Sequence, residues 1–151
     1  MDFEVDFIQK RITNHGVGIH VRIAGSGLPI LLLHGYPQTG YMWHKVAPIL
    51  ARHFSVVIAD LRGYGDSDKP KTDQMHSPYS KRSMAGDMRE VMRKLGHKTF
   101  AVAGHDRGGR VAHRMARDYP DTITHLALLD IVPTLTTVSY THLTLPTTVI
   151  V

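Results

Sequence analysis

The sequence predicts an α/β fold in which a mostly parallel sheet follows an antiparallel hairpin at the N-terminus. Short apolar runs alternate with segments of helical period, which is typical of strands connected by crossover helices. The inner runs are almost continuously apolar, as is typical of strands covered on both faces. A chain of 151 residues, 42% of them hydrophobic, is long enough to bury one such core.

The elements are predicted from the N-terminus onward. Residues 8–13 and 19–24 are β-rich runs joined by a turn at residues 14–16, which indicates a hairpin. Further strands are predicted at residues 30–33, 55–59, 99–103 and 126–129. Helices are predicted at residues 41–52, 80–95 and 107–118, and a long Gly-, Pro- and Asp-rich loop at residues 61–79. In the first of these helices we expect one buried side, made of Met42, Val46, Ile49 and Leu50.

Composition excludes several classes of function. The chain has no cysteine, which excludes disulfides, thiolate metal sites and a cysteine nucleophile, and which fits a cytoplasmic protein. It has no apolar run long enough to span a bilayer, and its acidic start does not resemble a signal peptide. The net charge is +5, but the cations are interleaved with acids, as in residues 87–94. We therefore expect neither a membrane nor a nucleic-acid partner.

Three loops, at residues 34–39, 60–67 and 104–109, follow predicted strand ends, where open α/β sheets bind ligands. The third loop fits the nucleophile-elbow pattern G-x-Nu-x-G, with Asp106 in the nucleophile's place. Gly104 and Gly108 supply the missing Cβ atoms that this tight strand-to-helix turn needs. The three loops in this order favour a catalytic site.

Asp106 is predicted to be a carboxylate nucleophile. At the amino end of a helix it would be ionised, so it could attack carbon without a base and form an ester. The backbone N–H groups of Tyr36 and Arg107 are predicted to form the oxyanion hole for opening that ester. The alternatives are that Asp106 only caps the helix, or that it forms a metal pair with His105, although no second ligand pair has suitable spacing.

Other polar residues of these loops are predicted to be structural. Asp60 and Ser67 are expected to fix the long loop rather than to react. His34 and His105 are expected to be packed, hydrogen-bonded histidines beside the site.

Residues 34–39, 104–110 and 128–134 together resemble the haloacetate dehalogenases, including fluoroacetate dehalogenases, of the α/β-hydrolase superfamily. The resemblance extends from the N-terminus to about Thr134. The elbow alone is shared with haloalkane dehalogenases and epoxide hydrolases, which usually have Trp where this chain has Arg107. The resemblance implies hydrolysis of the carbon–halogen bond of a short haloacid through an aspartyl ester, with water as the second substrate and no cofactor or metal. The alternative is an epoxide hydrolase that uses the same Asp106.

The resemblance also assigns roles to single residues. Arg107 and Arg110 are three residues apart on a helix, so they share a face, and by resemblance they clamp the substrate carboxylate. The alternative for Arg110 is a solvated face shared with Arg114 and Arg117. Asp130 is implied to orient the catalytic histidine, its alternative being a loop cap.

The resemblance further implies an incomplete chain. Residues 1–134 are predicted to be the N-terminal portion of the α/β-hydrolase core, and the cap domain, the halide-binding residues and the catalytic histidine would lie downstream. Residues 135–151 are predicted to be a foreign or disordered tail, since residues 138–148 resemble an adapter sequence translated in frame. His142 lies in this tail and is not assigned as the base. We therefore expect the 151-residue chain itself to be inactive, or to stall at the ester. A non-enzymatic binding module has no positive sign in the sequence.

Overall fold

The computed structural model describes residues 2–3 and 6–132. The predicted boundary at Thr134, the tail of residues 135–151 and His142 lie outside these residues. The strands of the described part are β1 (Ile8–Asn14), β2 (Val17–Ala24), β3 (Leu28–Leu33), β4 (Phe54–Ala59), β5 (Phe100–His105) and β6 (Ile123–Leu129). They form one sheet in the order β1-β2-β4-β3-β5-β6. β2 pairs antiparallel with both β1 and β4, and all other pairs are parallel. The predicted fold class and N-terminal hairpin are confirmed.

The helices of the described part are α1 (Ala47–Leu50), α2 (Lys81–Lys94) and α3 (Arg107–Asp118), with 3-10 turns at Gly40–Trp43, Ser77–Tyr79 and Pro120–Thr122. α2 and α3 agree with the prediction, and Ser80 caps α2 by accepting a hydrogen bond from the N–H of Ser83 at 3.1 Å. The turn at Ser77–Tyr79 lies within the segment predicted to be a loop.

The single helix predicted over residues 41–52 is wrong. The segment folds as a 3-10 turn and the short α1, which begins at Ala47 with Pro48 in its first turn, a position that proline favours. The predicted inner side is half right: Met42 and Leu50 pack partly buried against the core, whereas Val46 is 45% and Ile49 58% exposed. The fully buried residues of the segment include Trp43, Ala47 and Ala51.

The core lies on both faces of the sheet. In β3, Leu31 and Leu33 belong to one buried cluster and Leu32 to another, because successive strand residues point to opposite faces. α2 and α3 cover the first face and contribute buried side chains to it, among them Met88 and Val91. α1 and the turn before it contribute to the second cluster. None of the helices in the described ranges has the length and apolarity needed to cross a bilayer.

The sheet topology brings the three predicted loops together. β3 lies between β4 and β5, and Leu33 pairs with both Ala59 and Gly104, so the three strands end in line. β6 continues the row, with Leu129 opposite His105. The loops at residues 34–39, 60–67 and 104–109 therefore lie at one edge of the sheet, together with Asp130.

The long loop after β4 is fixed by buried polar contacts. Asp60 accepts hydrogen bonds from the N–H groups of Gly40 (2.6 Å) and Asp66 (3.0 Å). The Ser67 hydroxyl donates to the backbone oxygen of Asp60 at 2.7 Å. Arg62 forms a buried ion pair with Asp87 of α2 at 2.6 Å. Asp60 and Ser67 thus hold the loop, as the sequence predicted.

Candidate active site

Asp106 occupies a tight turn between β5 and α3. Its φ of 47° and ψ of −115° are a strained combination for a residue with a side chain. Its N–H donates to the backbone oxygen of Leu129 at 3.0 Å, which ties the turn to β6. A Cβ atom on Gly108 would lie 2.6 Å from the backbone oxygen of Leu33, so the turn can pack against β3 only with glycine there. Asp106 thus lies in a tight strand-to-helix turn that glycine at position 108 makes possible.

Asp106 directly precedes α3, but its carboxylate accepts no capping hydrogen bond there, so simple helix capping does not account for this residue. Instead, the N–H of Tyr36 donates to Asp106 Oδ2 at 2.9 Å. Partial burial by itself raises the pKa of Asp106, but the N–H groups of Tyr36 and Arg107 and the charges of His105 and Arg107 outweigh burial. The net effect is a lowered pKa, and the carboxylate is ionised at neutral pH.

The predicted substrate-binding residues lie together. Asp106, Arg107, Arg110, Tyr36 and Lys81 line one open cavity of about 650 Å³. Arg110 is half-buried, and its Nε is buried without a hydrogen-bond partner among the described residues. Arg110 thus lines the cavity and forms no ion pair with any described residue, unlike Arg114, which pairs with Asp118 at 2.7 Å. The solvated-face alternative therefore fits Arg114 better than Arg110.

Two tyrosines hold the Arg107 side chain. Its guanidinium carbon lies 4.6 Å from the centre of the Tyr36 ring, which is a cation–π contact. Its Nη1 donates to the hydroxyl of Tyr64 at 3.1 Å. Tyr64 in turn packs edge-on against the buried His34, with ring centres 5.2 Å apart. These two contacts hold Arg107 in the wall of the cavity that Asp106 also lines.

Lys81 and Tyr64 were not predicted from the sequence. Lys81 is the first residue of α2, and Tyr64 lies in the long loop, so neither belongs to the elbow or the loop after β3. One signal for Lys81 was available, because a lysine in the first turn of a helix is unfavourable to the helix dipole. No sequence pattern indicates the contact between Tyr64 and Arg107.

His34 is a structural residue, as predicted. It is fully buried, bonds the backbone oxygen of Gly35 through Nδ1 at 2.8 Å, and accepts the N–H of Leu61 at Nε2 at 3.0 Å. Burial lowers the pKa of His34, and the Gly35 bond and the charge of Asp60 oppose this only in part. The imidazole is therefore neutral, and it connects the loop after β3 to the loop after β4.

Asp130 lies at the end of β6, on the same edge as Asp106. Its φ is 53° and its side chain is 77% exposed. Its Oδ2 is 3.6 Å from Nε2 of His105, whose Nδ1 is 3.1 Å from Gln38 Oε1. The carboxylate of Asp130 is therefore close to a histidine and open to solvent, and it makes no loop-capping hydrogen bond among the described residues.

The structure does not support a metal pair at His105 and Asp106. Within the described ranges, the group with metal-ligand spacing is His20, Asp60 and Asp66, whose ligand atoms lie within 4.8 Å of one another. Asp60 already accepts two backbone hydrogen bonds and contacts His20 at 3.2 Å, which accounts for this cluster as loop structure.

Comparisons with known proteins agree with this geometry. The family model of the α/β hydrolase fold matches residues 29–147. A fluoroacetate dehalogenase of Burkholderia sp is 54% identical over 127 residues, which are 83% of this chain and 42% of that protein. A soluble epoxide hydrolase of Corynebacterium sp. (strain C12) is 46% identical over 131 residues, or 83% of this chain and 44% of that protein.

A solved structure of another α/β hydrolase is also similar to this chain. The crystal structure of ALR0039 from Nostoc sp PCC 7120 superposes with a TM-score of 0.83 at 57% sequence identity, covering 84% of this chain and 44% of that one. The chain thus spans less than half the length of these relatives. The extent of the family match, the level of identity and the elbow geometry lead to one conclusion: this chain belongs to the α/β-hydrolase fold family.

Proposed function

We propose that the whole protein to which this chain belongs hydrolyses the carbon–halogen bond of a short haloacid. The observation that supports this most is the cavity in which the ionised Asp106 lies beside Arg107, Arg110 and Lys81. None of these cations forms an ion pair within residues 2–3 and 6–132. A bound carboxylate would supply the missing partner, and charge-assisted hydrogen bonds from guanidinium groups suit it.

In the first step, Arg107 and Arg110 hold the substrate carboxylate and direct its α-carbon toward Asp106. Since Oδ2 of Asp106 accepts the N–H of Tyr36, Oδ1 is the attacking oxygen. Oδ1 forms a bond to the α-carbon, and the carbon–halogen bond breaks with its electron pair leaving on the halide. The product of this step is an ester of Asp106. Positioning by the two arginines provides most of the rate gain here.

In the second step, water attacks the carbonyl carbon of the ester. Oδ2 takes up the negative charge while it keeps its hydrogen bond from the N–H of Tyr36. The N–H of Arg107 is the second donor of the proposed oxyanion hole. The water proton passes to a histidine oriented by Asp130, which we place in the part of the whole protein that follows the described residues. Collapse of the intermediate breaks the bond between the carbonyl carbon and the alkyl oxygen, and the histidine returns its proton to that oxygen as the hydroxyacid leaves. Asp106 then carries one oxygen from water and loses the remaining water proton to solvent, which restores the carboxylate.

An epoxide hydrolase is the second candidate, and the 46% identity to a soluble epoxide hydrolase favours it. Asp106 could open an epoxide ring in the same way, with the same ester hydrolysis. An epoxide is neutral, however, and it would bring no negative charge to the three cations that line the cavity. The haloacid is therefore the better match to this cavity.

The test is to assay the whole protein on fluoroacetate, chloroacetate and styrene oxide. We expect halide and hydroxyacid to be released in equal amounts from the haloacetates, and Asp106→Asn to abolish turnover. Asp121→Asn, at an exposed position of a 3-10 turn, is the matched control and should keep full activity. Turnover of the epoxide without release of halide would overturn the proposal.

The 151-residue chain provides a second assay. Without the histidine it should form the ester and stop, so mass spectrometry should find at most one carboxymethyl group per chain, on Asp106. Multiple turnovers by this chain would contradict the assignment of the base to a further part of the protein.

A further inference from the structure

Lys81 lies in the candidate active site, where no described residue pairs with it. It is the first residue of α2, is half-buried, and lines the cavity that holds Asp106, Arg107 and Arg110. It forms no hydrogen bond or ion pair to any residue that the structure describes. By contrast, Lys94 at the other end of α2 donates to the backbone oxygen of Thr13 and pairs with Glu90.

This position is unfavourable for a cation. Burial lowers the pKa of Lys81, the charges of Arg107 and Arg110 lower it further, and Asp106 only partly opposes them. The amino end of α2 is also the positive end of its dipole, which disfavours a cation in the first turn. Such conflicts between local stability and residue type occur mainly at functional sites.

The cavity holds more positive than negative charge. Lys81, Arg107 and Arg110 face one carboxylate, that of Asp106. Alkylation in the proposed first step would neutralise Asp106 as well, so a substrate anion would then be the sole counter-charge among these groups. A neutral ligand would leave all of these cations unpaired at that stage.

We propose that Lys81 is a third anion-binding side chain of this cavity and that it selects anionic haloacids over neutral substrates. This inference rests on the proposed function and adds a determinant of its substrate class. Arg107 and Arg110 provide directional hydrogen bonds to the carboxylate, while the flexible ammonium group of Lys81 adds a point charge at the cavity wall. Binding of the anion in turn relieves the unfavourable position of Lys81.

The test uses acetate as an unreactive carboxylate probe and acetamide as its neutral counterpart, with binding to the whole protein measured by calorimetry. Lys81→Met keeps the unbranched stem and removes the charge, and we expect it to weaken acetate binding about tenfold, as the loss of one hydrogen bond to a charged group does. Acetamide binding should not change. Lys98→Met removes the same charge from an exposed position outside the cavity and should bind acetate as the unmodified protein does.

Two further variants complete the test. Lys81→Arg keeps the charge and should keep acetate affinity within about threefold of the unmodified value, well short of the loss in Lys81→Met. Without ligand, Lys81→Met should have a melting temperature equal to or above that of the unmodified protein, because an unfavourable charge has been removed. This measurement distinguishes a loss of binding from a loss of folding. If Lys81→Met misfolds, Lys81→Gln takes its place with the same expectations.

The results distinguish this inference from the proposed function. Unchanged acetate affinity in Lys81→Met, together with weakened affinity in Arg110→Met, overturns the role of Lys81 and leaves the haloacid proposal intact. Failure of the unmodified protein to bind acetate overturns both.

Discussion

Gly35→Ala is the sharpest perturbation that the structure offers, because Gly35 packs directly against Asp106, the proposed nucleophile. A Cβ atom at this position would lie 2.6 Å from Cβ and 2.8 Å from Oδ2 of Asp106, and 3.1 Å from Nδ1 of His105. Asp106 is held by its strained turn and by the N–H of Tyr36, so a shift of Asp106 or of the loop that carries Tyr36 would change the site.

The size of the effect follows from these distances. Carbon atoms pack at about 3.5–4.0 Å, so Asp106 or the loop after β3 must shift by roughly 1 Å. A misplacement of about 1 Å in an active site costs about 100-fold in rate, which corresponds to roughly 2.7 kcal/mol of transition-state stabilisation. Overpacking of this kind should also lower the free energy of unfolding by about 1–3 kcal/mol.

The assay is kcat for halide release from chloroacetate, measured on the whole protein, with urea unfolding in parallel. Gly86→Ala is the matched control, since its added Cβ would meet only the Tyr119 hydroxyl, at 3.8 Å. Because Gly86 lies inside α2, alanine should leave kcat unchanged and stabilise the protein by up to about 1 kcal/mol. A Gly35→Ala protein with kcat within about threefold of the unmodified enzyme would refute the placement of the nucleophile against this loop.

Three further outcomes are expected. Tyr64→Phe removes the hydroxyl that holds Arg107. In steady-state kinetics, KM for haloacetates should rise by about fivefold while kcat stays nearly unchanged. A fall in kcat by the same factor would contradict a positioning role for Tyr64. Because folding lowers the pKa of His34, the unfolded chain binds a proton at this residue at a higher pH than the folded protein does. The contribution of His34 to the free energy of unfolding is therefore fully present above pH 6.5 and is lost as the pH falls from there through the lower folded-state pKa. Melting curves between neutral and mildly acidic pH should show this loss, and a melting temperature that rises on acidification would contradict it. Asp87→Asn breaks the buried pair with Arg62 and should cost about 3–5 kcal/mol of unfolding free energy in urea titrations, whereas a loss below about 1 kcal/mol would mean that the pair is solvated.

The sheet and the elbow could be predicted because their signals are local. The apolar run of β3 and the period of α2 each indicate one type of element, and Gly104 and Gly108 indicate the turn around Asp106. The prediction of one helix over residues 41–52 was wrong because the apolar spacing is also compatible with a 3-10 turn followed by a short helix. Only packing against the sheet decides which positions face inward.

The site was predicted where residues follow strand ends. Tyr36, Asp106, Arg107 and Arg110 lie around one cavity because β3 and β5 are neighbours and end at the same edge. Lys81 was not predicted because it reaches this cavity from α2, and the position of α2 depends on how it packs against α3.

Contacts that depend on the path of a loop could not be predicted from the sequence either. Tyr64 reaches Arg107 only because Asp60 and Arg62 fix the long loop. The approach of His105 to Asp130 depends in the same way on the positive-φ turn after β6.

The central claim, that Asp106 forms a covalent ester, is tested most directly by a single turnover in water labelled with heavy oxygen. The whole protein, in excess over chloroacetate, would be digested afterwards and the peptide that contains Asp106 weighed. We predict one heavy oxygen in the Asp106 carboxylate and none in the hydroxyacid released in that turnover, because water attacks the ester carbonyl and not the substrate carbon. Heavy oxygen in the hydroxyacid, with Asp106 unlabelled, would show that water displaces the halide directly and would contradict the account.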